Sequence, residues 1–233
     1  MTAAKILTEL NRVADPIKAQ TSARFFKTDP GQYGEGDIFL GLTVPEQRVV
    51  AKRYAALPLR EVEILLHSKF HEARLIALFI LVTQYKKGTP QQRLAIYALY
   101  LKNTTHINNW DLVDSSASYI MGPSADLPTL IRLANSANVW ERRIAMLACF
   151  YTINQGKTEP AFTIIAILKN DSHDLIQKAV GWMLREIGKR CSRKELITWL
   201  AHNSYPKLPR TTLRYAIEHF SPQERKAYLQ GIV

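Results

Sequence analysis

Apolar residues recur at helical spacing along almost the whole chain, and this periodicity is the strongest constraint on its fold. The stretch EVEILLHSKFHEARLIALFILVTQY (61–85) is typical, and the pattern returns in QQRLAIYALYLKN, ERRIAMLACFYTIN, AFTIIAILKN and LIQKAVGWMLREIGKR. Apolar side chains that are three and four residues apart form one face of an α-helix. No run of alternating polar and apolar residues indicates a β-hairpin. The sequence therefore predicts an all-α protein.

Proline and glycine residues punctuate these helical segments. Because proline lacks an amide hydrogen and clashes with the preceding helical turn, we expect such residues to lie between helices. The predicted breakers are Pro58, Gly88-Thr89-Pro90, Gly122-Pro123, Pro160, Pro206 and Pro209.

A motif with a polar start, then a basic or aromatic residue and an apolar helix, recurs as HEARLIAL, NNWDLVDS, WERRIAML, IQKAVGWM and RTTLRYAI. The intervals are 36, 33, 35 and 36 residues between the markers Arg74, Trp110, Arg143, Lys178 and Arg214. Such intervals match the two-helix repeat of HEAT-type α-solenoids. We therefore predict a single domain over residues 1–233, in which stacked HEAT-like repeats form a concave, basic DNA-binding groove.

The charge balance favours a polyanionic partner. The 31 Lys and Arg residues exceed the 20 Asp and Glu residues, which gives a net charge of +11. Nucleic acid is the commonest partner of so basic a domain, although a basic protein without such a ligand remains an alternative. The cations are dispersed rather than gathered into one polybasic run, which disfavours binding to a membrane surface.

Features of membrane and secreted proteins are missing. No segment approaches the ~18 consecutive apolar residues of a membrane span. The first segment, MTAAKILTELNRVADPIKAQ, has the pattern of an amphipathic helix rather than of a signal peptide. Cys149 and Cys191 are the only cysteines, too few for a disulfide framework. We therefore expect a reduced, cytoplasmic protein that associates with the nucleoid when it is bound to DNA.

Several enzyme signatures are also missing from the sequence. It contains no Gly-rich phosphate loop, no His-Glu-x-x-His, no Cys-x-x-Cys and no Gly-x-Ser-x-Gly. His67 and His71 are four residues apart, but without a third ligand nearby they do not predict a metal site.

The heptapeptide NNWDLVD (108–114) places two carboxylates beside a tryptophan. Trp110 and Asp114 are four residues apart, so a helix presents them on one face. Asp111 is rotated by about 100° from Trp110. We interpret Asp111 as a helix-start residue, with one of the two preceding asparagines as the cap.

Stacked repeats would bring Trp110, Asp114, Arg143 and Trp182 together in an aromatic cleft with a basic rim and one acid. Each residue also has a simpler interpretation. A tryptophan on a helix is commonly a core residue, an aspartate near a helix start is commonly a cap, and Arg143 could be a solvated surface residue. Their recurrence along one face favours a site.

These motifs resemble those of the AlkD-like DNA alkylation repair proteins, which are HEAT-like DNA glycosylases. The similar stretches are FLGLTVPEQR (39–48), NNWDLVD (108–114), VWERRIAM (139–146) and IQKAVGWMLREIGK (176–189). They occur in order over most of the chain, and NWDLVD followed by GWMLRE is the most specific pair.

The resemblance implies a DNA glycosylase of base excision repair that hydrolyses the N-glycosidic bond of cationic alkylated purines. Its expected substrates are N7-methylguanine and N3-methyladenine in double-stranded DNA, attacked without base flipping and without a metal or organic cofactor. The resemblance implies that Asp114 is the catalytic carboxylate, that Trp110 and Trp182 contact the DNA at the lesion, and that Arg143 contacts the backbone. A groove that wraps DNA requires only a monomer.

Further DNA contacts are expected from cations at or near the repeat positions and from one aromatic residue. In SARFF (22–26), Phe25 stands where the most similar family members have a tyrosine, so the aromatic packing is kept while a hydroxyl contact is lost. These additional candidates are Lys178, Arg185, Arg74, Arg214 and Phe25.

Two other functions remain open. A non-catalytic HEAT-like protein that recognises distorted or branched DNA would bind DNA in a salt-dependent way without releasing a base. An α-solenoid scaffold for acidic protein partners would not bind DNA even at low salt. The complete set of Trp110, Asp114, Arg143 and Trp182 favours the glycosylase.

Overall fold

A computed structural model describes all 233 residues, and its regular structure is helical. The first helices are α1 (Ala3–Arg12), α2 (Pro16–Phe25), α3 (Val44–Arg53), α4 (Leu59–Leu66), α5 (His71–Lys87), α6 (Pro90–Lys102), α7 (Trp110–Asp114) and α8 (Ala117–Ser124). They are followed by α9 (Leu127–Ala134), α10 (Val139–Ala148), α11 (Phe150–Ile153), α12 (Glu159–Leu168), α13 (Asp174–Arg190), α14 (Arg193–His202), α15 (Arg210–Ala216) and α16 (Pro222–Gln230). Extended pairing is limited to one isolated bridge between Ile38 and Phe70. The predicted all-α fold is confirmed.

The chain forms two compact units, Met1–Ile120 and Met121–Val233. In the first unit, α5 packs against α3, α4, α6 and α7. In the second unit, α13 packs against α10, α11, α12, α14 and α15. Both central helices are 17 residues long, and α5 is buried around most of its circumference, as expected for a helix inside a core. None of the helices combines the length with the apolar character that a membrane span requires. The single domain predicted from the sequence stays a prediction.

Most of the predicted breakers lie at helix starts. Pro58 and Pro209 directly precede α4 and α15, and Pro90 and Pro160 lie in the first turns of α6 and α12. The prediction for Gly122-Pro123 is wrong, because both residues belong to α8. This helix tolerates the proline because it ends one residue later, at Ser124, so the ring disturbs only the last turn.

The sequence periodicity corresponds to equivalent helix positions in the second unit. Arg143, Lys178 and Arg214 are each the fifth residue of their helices, α10, α13 and α15. Helix α10 packs against α13, and α13 packs against α15. The repeat thus places these three cations at matching points of successively packed helices. The HEAT-like character and the basic groove stay predictions.

A buried carboxylate ties the segment before α3 to the central helix of the first unit. Glu72 in α5 accepts hydrogen bonds from the backbone amides of Leu40 at 3.0 Å, Gly41 at 2.8 Å and Leu42 at 3.3 Å. Gly41 has φ +88°, and a Cβ atom there would lie 2.2 Å from the carbonyl oxygen of Asp15. Only glycine fits this position without moving the backbone.

Replacing Gly41 by alanine tests this anchor. We expect Gly41→Ala to lower the free energy of unfolding by about 3 kcal/mol or more, since backbone strain and a steric clash add. The matched control is Gly36→Ala, where φ is +85° but no atom lies within 4 Å of the new Cβ. There we expect only the strain of positive φ, about 1 kcal/mol. Urea unfolding measures both variants, and equal losses would show that the close approach at Gly41 has no energetic importance.

Candidate functional site

Helix α7 carries the NNWDLVD motif and is only five residues long. Asn109 is its N-cap, because the side-chain Oδ1 accepts a hydrogen bond from the amide of Trp110 at 2.8 Å. Leu112 and Val113 are fully buried and anchor the helix by its apolar face. Trp110 and Asp114 stand at its two ends and are both half-buried. The predicted asparagine cap is confirmed, and the helix displays the tryptophan and the carboxylate together.

Trp110 forms part of an aromatic wall in the first unit. Its ring stacks on Phe26, with centroids 5.2 Å apart, and meets Phe25 edge-on at 5.9 Å. Phe26 in turn stacks on Phe39 at 5.1 Å. These four rings line a cavity of about 390 Å³, the aromatic cavity, and Asp114 lines it as well. The structure therefore brings three of the predicted site residues, Phe25, Trp110 and Asp114, into one cavity.

Hydrogen-bond acceptors line the same cavity. Asp111 and Asp114 contribute carboxylates, and Gln47 contributes an amide. The Gln47 amide nitrogen donates to the carbonyl of Leu42 at 2.8 Å, whereas its buried Oε1 has no hydrogen-bond partner. Aromatic faces attract cations, and acceptors require N–H or O–H donors. The aromatic faces and the Asp114 carboxylate therefore suit a positively charged group that approaches the cavity.

A buried histidine bridges two carboxylates behind the aromatic wall. The Nε2 atom of His71 lies 2.8 Å from Asp111 Oδ2, and its Nδ1 atom lies 2.9 Å from Asp37 Oδ2. Asp111 is in the first turn of α7, as predicted. It also has a second function that the sequence did not indicate, because its contact with His71 joins α7 to α5.

Two further residues complete the network around Asp37. The Arg74 guanidinium bonds one oxygen of this carboxylate, and the Asn109 amide donates to the other at 3.1 Å. Arg74 also donates to the carbonyl of Ser68 at 3.0 Å. Arg74 is buried, so its charge is used inside the first unit. This geometry gives Arg74 a structural role and disfavours the direct DNA contact predicted for it.

The pKa values of His71 and Asp37 depend on the other charged groups of this network. Burial by itself would lower the pKa of His71, but the charges and hydrogen bonds of Asp111 and Asp37 outweigh burial and raise its pKa to about 9. Burial would raise the pKa of Asp37, but hydrogen bonding to His71 and the charge of Arg74 lower it instead. His71 is therefore an imidazolium near neutral pH, and two cations balance two buried carboxylates.

Three of the predicted DNA-binding cations lie together in the second unit. Lys178, Arg185 and Arg214 line a cavity of about 440 Å³, the α13 cavity, together with Arg225 and Glu218. The Lys178 ammonium lies 2.6 Å from the carboxylate of Asp174 on its own helix.

Arg185, by contrast, is shared between carboxylates. It bonds Glu218 and also Glu186, the latter at 3.0 Å. Arg214 is exposed at the same cavity. Arg225, which the sequence did not indicate, adds a fourth cation to this lining, so positive charge outweighs negative charge there.

The two remaining predicted residues also belong to the second unit. The indole nitrogen of Trp182 donates to Glu186 at 3.2 Å, and its ring lies 6.2 Å from that of Phe150. Arg143 is only 5% exposed, and its guanidinium donates to the carbonyl of Leu175 at 2.6 Å. The DNA contacts assigned to Trp182 and Arg143 stay predictions.

The sequence did not identify Phe26, Phe39 or Asp37 as parts of the site. His71 was considered only as a partner of His67, but the two have separate environments. His67 stacks on His106 at 4.0 Å, whereas His71 stacks on Phe39 at 4.5 Å. The aromatic pair in SARFF was the one signal that could have pointed to Phe26.

Replacing His71 tests the carboxylate bridge. His71→Gln leaves two buried carboxylates without the cation between them, so we expect it to lower the free energy of unfolding by roughly 3 kcal/mol. His219→Ala, at an exposed histidine of the second unit, is the control and should have little effect.

The bridge also predicts a dependence on pH. The pKa of His71 rises from 6.5 to about 9 on folding, so its contribution is complete below pH 6.5 and is lost as the pH rises through 9. Urea unfolding of the wild type should therefore show stability falling across this range, and His71→Gln should remove most of that fall. The same fall in both proteins would contradict the assignment.

Comparisons with known proteins identify the family and the fold. The sequence model of a family described as DNA alkylation repair enzyme matches residues 6–220. A comparison with curated proteins gives no match. Among solved structures, the fold is similar to that of a protein described as a predicted DNA alkylation repair enzyme from Enterococcus faecalis. The TM-score is 0.69 and the identity 18%, over 90% of this chain and 97% of that one. Because the family match extends over most of both units, the chain belongs to the DNA alkylation repair enzyme family.

Proposed function

We propose that the protein is a DNA glycosylase of base excision repair. Its substrates would be cationic alkylated purines, such as N7-methylguanine and N3-methyladenine, in double-stranded DNA. Membership of the DNA alkylation repair family supports a repair role. The more specific proposal, a glycosylase that acts on cationic purines, rests on the observation that Asp114 lines the same cavity as the Trp110 ring. A carboxylate can stabilise the positive charge that develops on the sugar, and an aromatic face can attract a cationic base.

The chemistry assigns a role to Asp114. Alkylation at N7 or N3 gives the purine a positive charge, so the base leaves with the electron pair of the N-glycosidic bond and becomes neutral. Positive charge then develops on the sugar, as in glycoside hydrolysis. The Asp114 carboxylate stabilises that charge and accepts a proton from the water that attacks the anomeric carbon. The reaction consumes one water molecule and needs neither a metal nor an organic cofactor.

Trp110 and the neighbouring rings of the aromatic wall are proposed to bind the cationic nucleotide. Ring faces attract a cationic nucleobase and bind it before the bond breaks. Phe25 is 64% exposed, and Trp110 and Asp114 are both half-buried, so a nucleotide reaches these groups from the mouth of the cavity. This accessibility supports cleavage without base flipping, in contrast to most enzymes that act on a base.

The cations of the second unit are assigned to the DNA backbone. Lys178, Arg185 and Arg214 line one cavity, and phosphate contacts of this kind position DNA without reading its sequence. Following the family resemblance, Arg143 and Trp182 are further proposed DNA contacts. The protein would act as a monomer on double-stranded DNA that contains alkylated bases.

Replacing Asp114 tests the proposed reaction. Asp114→Asn removes the charge but keeps the size of the side chain, so it should bind duplex DNA while losing about 10²–10³ in the rate of base release. The measurement is single-turnover release of free N7-methylguanine and N3-methyladenine from methylated duplex DNA.

The matched control is Asp29→Asn, at an exposed loop carboxylate of the same unit. It loses the same charge and should release bases at the wild-type rate. Unchanged release by Asp114→Asn would remove Asp114 from the mechanism. DNA binding without base release by the wild type itself would favour the non-catalytic alternative.

Replacing Phe25 tests the aromatic wall separately from the carboxylate. Phe25→Ala should slow base release on the order of threefold to tenfold. The reason is that the contact between the Phe25 ring and the bound nucleotide is lost, and an aromatic contact contributes about 0.5–1.5 kcal/mol. Its stability should hardly change, because the ring is largely exposed. Ile17→Ala, 80% exposed on the same helix, is the control. Equal rates for the two variants would show that Phe25 takes no part.

A further inference from the structure

Asp114 borders a second cavity of the first unit. This α3 cavity has a volume of about 390 Å³, and its lining includes Arg48, Lys52, Phe79, Lys86, Asp114 and Tyr119. Asp114 and Ser115 line both the α3 cavity and the aromatic cavity. The end of α7 therefore stands between an aromatic space and a space that is rich in cations.

The three cations of the α3 cavity are held by their positions on helices and by aromatic rings. Arg48 and Lys52 are four residues apart on α3, so they share one helix face. The Arg48 guanidinium lies 4.1 Å from the centre of the Phe79 ring, and the Lys86 ammonium lies 4.1 Å from that of Tyr119. Such contacts orient a cation without neutralising it.

None of these three cations forms an ion pair within the protein. All three are exposed, and the one carboxylate in the lining of the cavity is Asp114. Lys178 and Arg185 of the α13 cavity differ, because both are paired with carboxylates. The α3 cavity thus keeps an excess of positive charge and N–H donors that can bind an anion.

We propose that the α3 cavity binds a backbone phosphate of the DNA beside the alkylated nucleotide, an inference that rests on the proposed function. A nucleotide carries its base and its phosphates on different sides of the sugar. With Asp114 at the sugar and the cationic base still stacked in the duplex, the mouth of the aromatic cavity faces the base and sugar, and the α3 cavity receives the phosphate. Arg48 offers paired N–H donors that match phosphate oxygens, and Lys52 and Lys86 add charge.

In this arrangement the negative phosphate and the positive base of the substrate are bound by different groups of the protein. The phosphate is negative before and after cleavage, so its binding holds the nucleotide in register throughout the reaction. The positive charge of the base, by contrast, disappears when the bond breaks. The α3 cavity therefore acts as a positioning site, and the reacting atoms remain with Asp114 and the aromatic cavity.

The first test measures binding to undamaged duplex DNA as a function of salt. The variant R48Q/K52Q/K86Q should bind more weakly than the wild type. The slope of log K against log salt should decrease in magnitude by about 1 for each phosphate contact that is lost. The control K5Q/R60Q/K69Q removes the same three charges from exposed residues of the same unit that lie outside this cavity. Equal losses in both variants would overturn the proposal.

The second test locates the phosphate. The probe is a duplex with a single N7-methylguanine whose sugar carries a 2′-fluorine, which resists cleavage, and a neutral methylphosphonate replaces one linkage at a time. Replacing one linkage within two nucleotides of the lesion should weaken wild-type and control binding by about tenfold, the value of a charge-assisted hydrogen bond. The same replacement should not weaken R48Q/K52Q/K86Q further. An equal additional loss in that variant would overturn the assignment.

The outcomes separate this site from the proposed reaction. Normal base release by the wild type, with R48Q/K52Q/K86Q matching the control in both tests, would reject the phosphate site and leave the glycosylase intact. Absent base release, with the predicted changes in salt dependence, would reject the glycosylase and leave a DNA phosphate site.

Discussion

The bridge from Asp37 through His71 to Asp111 is the interaction on which the candidate site depends. Helix α7 has five residues, too few for a helix to be stable without tertiary contacts. The bridge and the buried residues of α7 attach it to α5, the longest and most buried helix of the first unit. The positions of Trp110 and Asp114, at the two ends of α7, follow from this attachment. The neutral balance of the network allows four charged groups to be buried together.

The burial and pairing of each cation, rather than the net charge, distinguish structural cations from those available to a ligand. Arg74 is buried against Asp37, whereas Arg48, Lys52 and Lys86 are exposed and unpaired. A count of basic residues treats all four alike. Because a paired charge contributes little to the field that attracts DNA, the exposed cations carry the electrostatic part of the proposed binding.

The sequence predicted the parts of the structure that depend on local spacing. Helical periodicity predicted the all-α fold, and the four-residue spacing of Trp110 and Asp114 predicted that they lie on the same side of α7, where both line the aromatic cavity. The repeat also located matching positions for Arg143, Lys178 and Arg214.

Tertiary contacts could not be predicted in this way. Phe39, His71 and Asp111 meet only when three separate segments fold together, and no local pattern connects them. The marker Arg74 shows the same limit, because a repeat predicts a position along a helix but not the exposure of the side chain. The most direct measurement of the central claim is the release of bases from methylated duplex DNA by the wild-type protein. We predict that free N7-methylguanine and N3-methyladenine appear together with an equal amount of abasic sites. DNA that is bound but keeps all of its alkylated bases would contradict the account.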